Sequence, residues 1–238
     1  MTAPVAFEET RSVARAIRTP RAAALAGIAF SVLFIVVLVL IRTAVPADPD
    51  DAGELLADNS RREAVLLALG LVPFAGIAFL WFVGVLRDRV GDAEDRFFAT
   101  AFLGSGLLFV GTMFVASAVA AGLVAGAGEH GDSLLASGSW EAGYRTIQEL
   151  INVYAMRMAA VFTLATSTIL SRTRLAPRWL VASGYAAAVL LLLAVDSLPW
   201  IVLVFPAWVL VLSLYVLINS FTRRQSPGVS TSEEVHPT

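Results

Sequence analysis

The sequence predicts an all-α, polytopic membrane helix bundle with six transmembrane helices and both termini cytoplasmic. Three observations predict it. Hydrophobic residues make up 58% of the 238 residues and charged residues 15%, with a mean hydropathy of +0.77, a balance far from that of soluble domains. Residues 64–115 hold two long apolar runs on either side of one charged connection, Arg87-Asp88-Arg89-Val90-Gly91-Asp92-Ala93-Glu94-Asp95-Arg96. Each run exceeds the roughly 20 residues a helix needs to cross a ~30 Å hydrocarbon core, so the pair reads as a transmembrane hairpin with its turn in water. Arginine is also unequally shared between the loops. Arg11, Arg15, Arg18, Arg21, Arg87, Arg89, Arg96, Arg172, Arg174, Arg178, Arg223 and Arg224 fall on one side, against Arg42, Arg61, Arg62 and Arg145 on the other. The arginine-rich side is the cytoplasmic one.

The chain divides into a basic cytoplasmic N-terminal segment (1–20), a six-helix transmembrane domain (21–222) and a disordered cytoplasmic tail (223–238). In the first segment, Val13 and Ile17 at helical spacing among the arginines fit either a short interfacial helix on anionic lipid or a tail that only sets topology. The first span covers about Ala22–Ile41, longer than the ~7–15-residue apolar core of a signal peptide, and reads as an anchor. Asp48, Asp50, Asp51, Glu54 and Asp58 follow in an acidic loop that lacks the ~12-residue EF-hand pattern and is expected to cap the second helix.

The second span, about Ala64–Val85, contains Pro73, which frees a carbonyl and bends a helix. The third, about Phe97–Leu123, carries Gly104, Gly106 and Gly111, with a GxxxG at Gly122–Gly126 expected to pack closely inside the bundle. Residues 124–142 read as a Gly/Ser-rich outer loop containing His130, with Ser139 as the N-cap of a long fourth helix, about Trp140–Leu170. The fifth span is about Trp179–Val195 and the sixth about Trp200–Asn219, with Pro206 inside it. A weak repeat matches Pro20-Arg21 and Gly27 with Pro177-Arg178 and Gly184, and Pro73 with Pro206. It reads either as two parallel-related hairpins, a transporter device, or as proline and arginine recurring at helix starts.

Chemistry is bounded by what is missing. There is no cysteine and no lysine, which removes thiolate catalysis, disulfides, Schiff-base chemistry and the Walker-type phosphate loop. The only histidines, His130 and His236, lie outside the expected spans, so paired intramembrane haem ligands and HExxH zinc proteolysis are excluded. Gly104-Ser105-Gly106 offers a serine without an intramembrane base, and no aspartate lies inside a span to form an aspartyl dyad. No enzymatic activity, metal or cofactor is expected.

The fourth helix holds the one ionisable residue deep in the membrane, Arg157. At 100° per residue, Arg145, Gln148, Glu149, Asn152, Thr163, Thr166 and Ser167 share an arc of about 100°, with Arg157 on the adjoining face. Helical side chains lean toward the N-terminus, so Arg157 should reach toward the levels of Tyr154, Asn152 and Glu149. Glu149 is about 12 Å away along the helix axis, and Asp196 is an alternative counter-charge. An uncompensated arginine at mid-bilayer costs ~2.5–3.5 kcal/mol on insertion scales. It therefore reads either as functional or as a structural group bonded to carbonyls or lipid phosphates. Arg157, Glu149, Asn152, Tyr154 and Asp196 form the candidate ligand or ion path.

The stretch VPFAGIAFLWFVGVLRDRVGDAEDRFFATAFLGSGLLFV (72–110) resembles a block of uncharacterised six-span membrane proteins of high-GC bacteria. APRWLVASGYAAAVLLLL (176–193) resembles a motif common in several such families. The resemblance implies a multi-pass protein of the bacterial inner (plasma) membrane. The expected function is that of a non-catalytic accessory or lipid-binding membrane protein. The alternative is a small transporter or channel for an anion or amphiphile along the fourth helix. Expected partners are membrane lipids and a second membrane protein or copy of this chain, not nucleic acid.

Overall fold

The computed structural model describes residues 20–45, 58–90, 96–136, 138–194 and 200–222. Every regular element is helical: α1 (Pro20–Ala44), α2 (Asn59–Val90), α3 (Arg96–Ala136), α4 (Ser139–Gln148), a π-helical segment (Glu149–Ala155), α5 (Met156–Thr173), α6 (Arg178–Leu193), a 3-10 turn (Ile201–Leu203) and α7 (Val204–Thr222). α4, the π segment and α5 run on as one span. Among the described residues five segments are long and apolar enough to cross a membrane: Arg21–Ala44, Asn59–Arg87, Ala99–Gly126, Ser139–Thr173 and Ile201–Ser220. The sixth, α6, is apolar but has only 16 residues, about 24 Å of helix. The N-terminal segment, most of the acidic loop, Asp196 and the tail lie outside the described residues.

The core is built on phenylalanine. Eight of these rings are buried, from α1 (Phe30, Phe34), α2 (Phe79, Phe82), α3 (Phe102, Phe109), α5 (Phe162) and α7 (Phe205). Phe30–Phe79, Phe79–Phe162 and Phe109–Phe205 have centroids 4.7, 5.0 and 4.9 Å apart at tilted or edge-on angles, and Phe102 stacks on Phe162 at 4.9 Å. Such geometries complement the ring quadrupoles and add about 0.5–1.5 kcal/mol per pair beyond area burial. α1 lies along α2 and α7, α3 along α2 and α5, and α6 chiefly along α5. Three buried hydroxyls bond back to their own helices, Ser31 to Gly27 O, Thr163 to Ala159 O and Thr166 to Phe162 O at 2.7–2.8 Å, which satisfies them without water, whereas those of Ser167 and Ser213 are buried without a partner.

Several expectations are corrected. The segment expected as an outer loop continues α3 to Ala136. No proline occurs between Pro73 and Pro177, and glycine costs only about 1 kcal/mol in a helix, so nothing there forces a stop. The break comes at Gly138, whose φ of 69° places it in the left-handed region that glycine tolerates. Gly138, not Ser139, precedes the first helical residue of α4, and no side chain caps the end. Pro73 does not interrupt α2, which runs on through it as one helix, whereas Pro206 lies inside the last span as expected, in the first turn of α7, where its missing N–H costs little. The two hairpins of the weak repeat pack differently, α1 against α2 along its length and α6 mainly against α5. Gly122 of the GxxxG faces open space.

Close approach occurs instead at Gly27 and Gly184. A Cβ on Gly27 would meet Ser213 Oγ at 2.0 Å, and one on Gly184 would meet Ser167 Oγ at 2.1 Å and the Trp208 ring at 2.8 Å. Gly184 therefore lets α5, α6 and α7 converge, beside a Thr168–Tyr185 hydroxyl pair 3.1 Å apart that joins α5 to α6. Gly184→Ala should destabilise the protein by about 1–3 kcal/mol, the usual cost of overpacking. Ser167→Ala in the same chain should restore part of that loss, as read by thermal unfolding in detergent.

Asp58 caps α2 as expected of the acidic loop. Its Oδ1 accepts the backbone N–H of Ser60 at 2.9 Å and of Arg61 at 3.4 Å, and the Ser60 hydroxyl donates to the same oxygen. The Ser60 hydroxyl, ahead of the backbone donors, holds the carboxyl below its ordinary value of 3.8. The folded value is depressed, so this cap stabilises the helix above the ordinary aspartate range and is lost as pH falls through the lower folded value. A carboxyl-carbon NMR titration should place Asp58 below 3.8, and Ser60→Ala should move it upward.

Candidate functional site

Toward the end of the bundle marked by Trp140, α1, α2, α3 and α4 diverge around a cavity of about 140 Å3. Its deeper lining, Val37, Leu38, Val72, Met113 and Val202, belongs to the phenylalanine-centred core. Its outer closure is a second apolar cluster of Ala44, Val65, Val124 and Trp140, with Leu69 and Leu123 packed against it. Gly143 holds α4 close to α3 there, since a Cβ on it would meet Leu123 at 2.7 Å. The cavity is close in size to the ~150 Å3 engineered protein cavity that binds benzene. It accommodates one ring or a short stretch of chain.

One wall is polar. Tyr144, Gln148 and Asn152 line the cavity at successive turns of the fourth span. Asn152 Nδ2 donates to Gln148 Oε1 and Gln148 Nε2 donates to the Tyr144 hydroxyl, each at 3.1 Å. The ladder follows from i, i+4 spacing, which stacks side chains on one helix face. Ser117 of α3 also lines the cavity, its hydroxyl bonded to Met113 O at 2.8 Å. Arg42 is the one charged lining residue; it is solvent-exposed and has an interaction partner.

The π-helical segment sets the register between this wall and the residues that follow it. Met156 N–H donates to Ile151 O, five residues back, where an α-helix would reach four. The extra residue turns everything after it by about 100° relative to an uninterrupted α-helix. Arg145 and Glu149 are exposed, Gln148 and Asn152 face the cavity, and Thr163, Thr166 and Ser167 are buried in the core. The single polar face expected from a regular 100° wheel is divided into three: Arg145, Gln148 and Glu149 already differ in burial ahead of the wide turn, and Thr163, Thr166 and Ser167 follow it. Arg145 pairs on the surface with Glu141, Nη2 to Oε1 at 2.6 Å.

Of the five residues of the candidate path, the cavity takes only Asn152. Glu149 is exposed, Tyr154 is 59% exposed, and Arg157 is partly buried outside the cavity lining. Nη1 of Arg157 is buried without a hydrogen-bond partner. Asp196 lies outside the described residues. Sequence reasoning missed Tyr144, Trp140 and Arg42. The i, i+4 run Tyr144–Gln148–Asn152 was the available signal for the first, whereas the cavity wall at Arg42 depends on tertiary packing. Among the described residues no cluster of three His, Asp or Glu side chains is placed to hold a metal ion.

The fold and the cavity define a helical protein of membrane-spanning type with a partly open, mainly apolar compartment between its helices. The chain matches no protein-family model, no curated protein and no solved structure.

The π segment is testable by deletion. Removing Val153 leaves an uninterrupted helix and forces the ladder and the buried face of α5 out of mutual register. It should lower the thermal midpoint in detergent far more than Val153→Ala, which only trims a half-buried side chain. Equal midpoints would show that the wide turn does not set this register.

Proposed function

We propose that this chain is a non-catalytic integral membrane protein that holds a lipid-like amphiphile in the cavity between α1, α2, α3 and α4. The observation that carries the reading is the cavity itself: a mainly apolar, partly open compartment between the helices of a membrane-spanning bundle, with one hydrogen-bonding wall. Apolar pockets with a few convergent polar groups are the usual form of small-molecule sites. A surrounding bilayer supplies amphiphiles at high local concentration. Such a protein serves as an accessory subunit or a lipid-binding module of the bacterial inner membrane, and the arginine distribution supports cytoplasmic termini.

Ala120 lines the cavity, so the larger ring of Ala120→Phe should fill it. Native mass spectrometry of wild-type protein extracted gently from its host membrane should find a bound amphiphile, and Ala120→Phe should lose it while retaining its thermal midpoint. An unchanged bound species would sink the reading.

A second reading, a carrier or channel for an anion or amphiphile, draws on the unpartnered Nη1 of Arg157. The phenylalanine cluster closes the bundle's middle in this conformation, so conduction would require it to open. Liposome flux that Arg157→Gln abolishes, with folding intact, would favour the carrier over the binding module.

A further inference from the structure

The polar groups of the cavity carry a statement about which amphiphile fits, one that rests on the reading of the cavity as a lipid site. Arg42 is a solvent-exposed residue of the lining and has an interaction partner, so its charge is screened by water. The remaining polar wall is neutral. In the Tyr144–Gln148–Asn152 ladder, two hydrogen bonds consume one amide hydrogen of each amide, the Gln148 carbonyl and one lone pair of the Tyr144 oxygen. That leaves the tyrosine O–H and further amide hydrogens as donors, and the Asn152 carbonyl as an acceptor. Such a set matches a hydroxyl, ester or amide, which both gives and takes hydrogen bonds. A carboxylate or phosphate on the ladder would leave the acceptor unmet and bring a charge against Val37, Leu38 and Met113, where the one lining cation, Arg42, is exposed to solvent rather than buried beside it, a costly burial.

Size narrows the class further. A compartment of about 140 Å3 holds a ring or a short chain segment, not the paired chains of a bilayer phospholipid. We infer that the cavity selects the head and first carbons of a neutral, single-chain amphiphile over an anionic one. Tyr144, Gln148 and Asn152 are its specificity-determining residues.

The test compares three probes with one oleoyl chain and different heads: monooleoylglycerol, oleate and lysophosphatidylglycerol. Each is titrated into the full chain in detergent and counted by native mass spectrometry. Monooleoylglycerol should bind one to one, at least about tenfold tighter than either anion, a ratio equivalent to about 1.4 kcal/mol. Tyr144→Phe keeps the ring and removes only the hydroxyl, and should weaken monooleoylglycerol several-fold while leaving oleate unchanged. Equal or tighter binding of the anions, blocked by Ala120→Phe, would overturn the neutral-head inference and leave the cavity as an amphiphile site. Binding of every probe that Ala120→Phe does not alter, or no binding of any probe, would overturn the lipid-site reading itself.

Discussion

The packing of eight phenylalanine rings from five helices is the constraint on which the rest of this structure depends. In a bilayer the lipid tails are as apolar as the side chains, so helices gain little from merely hiding hydrophobic surface. What holds them is shape. Phe79 illustrates the point, making ring contacts with Phe30, Phe82, Phe109, Phe162 and Phe205. Rings that interlock edge to face fix the axial position of α1, α2, α3, α5 and α7 at one level. The glycines supply the complementary device nearer the ends, where Gly27 and Gly184 bring helix backbones close to serine oxygens of their neighbours.

That arrangement decides where polar chemistry is permitted. At the level of the rings, hydroxyls such as Thr163 and Thr166 turn back onto their own carbonyls rather than toward a neighbouring helix. Beyond the rings, toward Trp140, the helices separate, and amide side chains face a space rather than a neighbour. The cavity is therefore the natural product of a rigid middle and a fourth span whose first half leans on α3 through Gly143.

Much of the architecture was legible in the sequence. Apolar runs interrupted by arginine-rich turns located the helices to within a few residues at most ends, because hydrocarbon thickness sets their length. The failures have physical causes. The Gly- and Ala-rich stretch after Leu123 looks like a loop on composition, yet without a proline it extends α3 through to Ala136. The polar face of the fourth span was computed from a constant 100° step, and the π segment at Glu149–Ala155 breaks that step. Arg157, beyond it, does not reach the cavity lining, and Glu149 points outside the bundle. No local residue pattern announces a π segment, since it arises where two packing demands on one helix disagree by a fraction of a turn.

The π segment also gives the fourth span two independent registers. Residues before it answer to the cavity and residues after it answer to the ring-packed core. Substitutions at Tyr144 or Gln148 can thus reshape what the compartment accepts without disturbing how Phe162 and its neighbours pack. A helix with a constant step would bind those two tasks together; the wide turn makes ligand preference and bundle assembly separately variable traits.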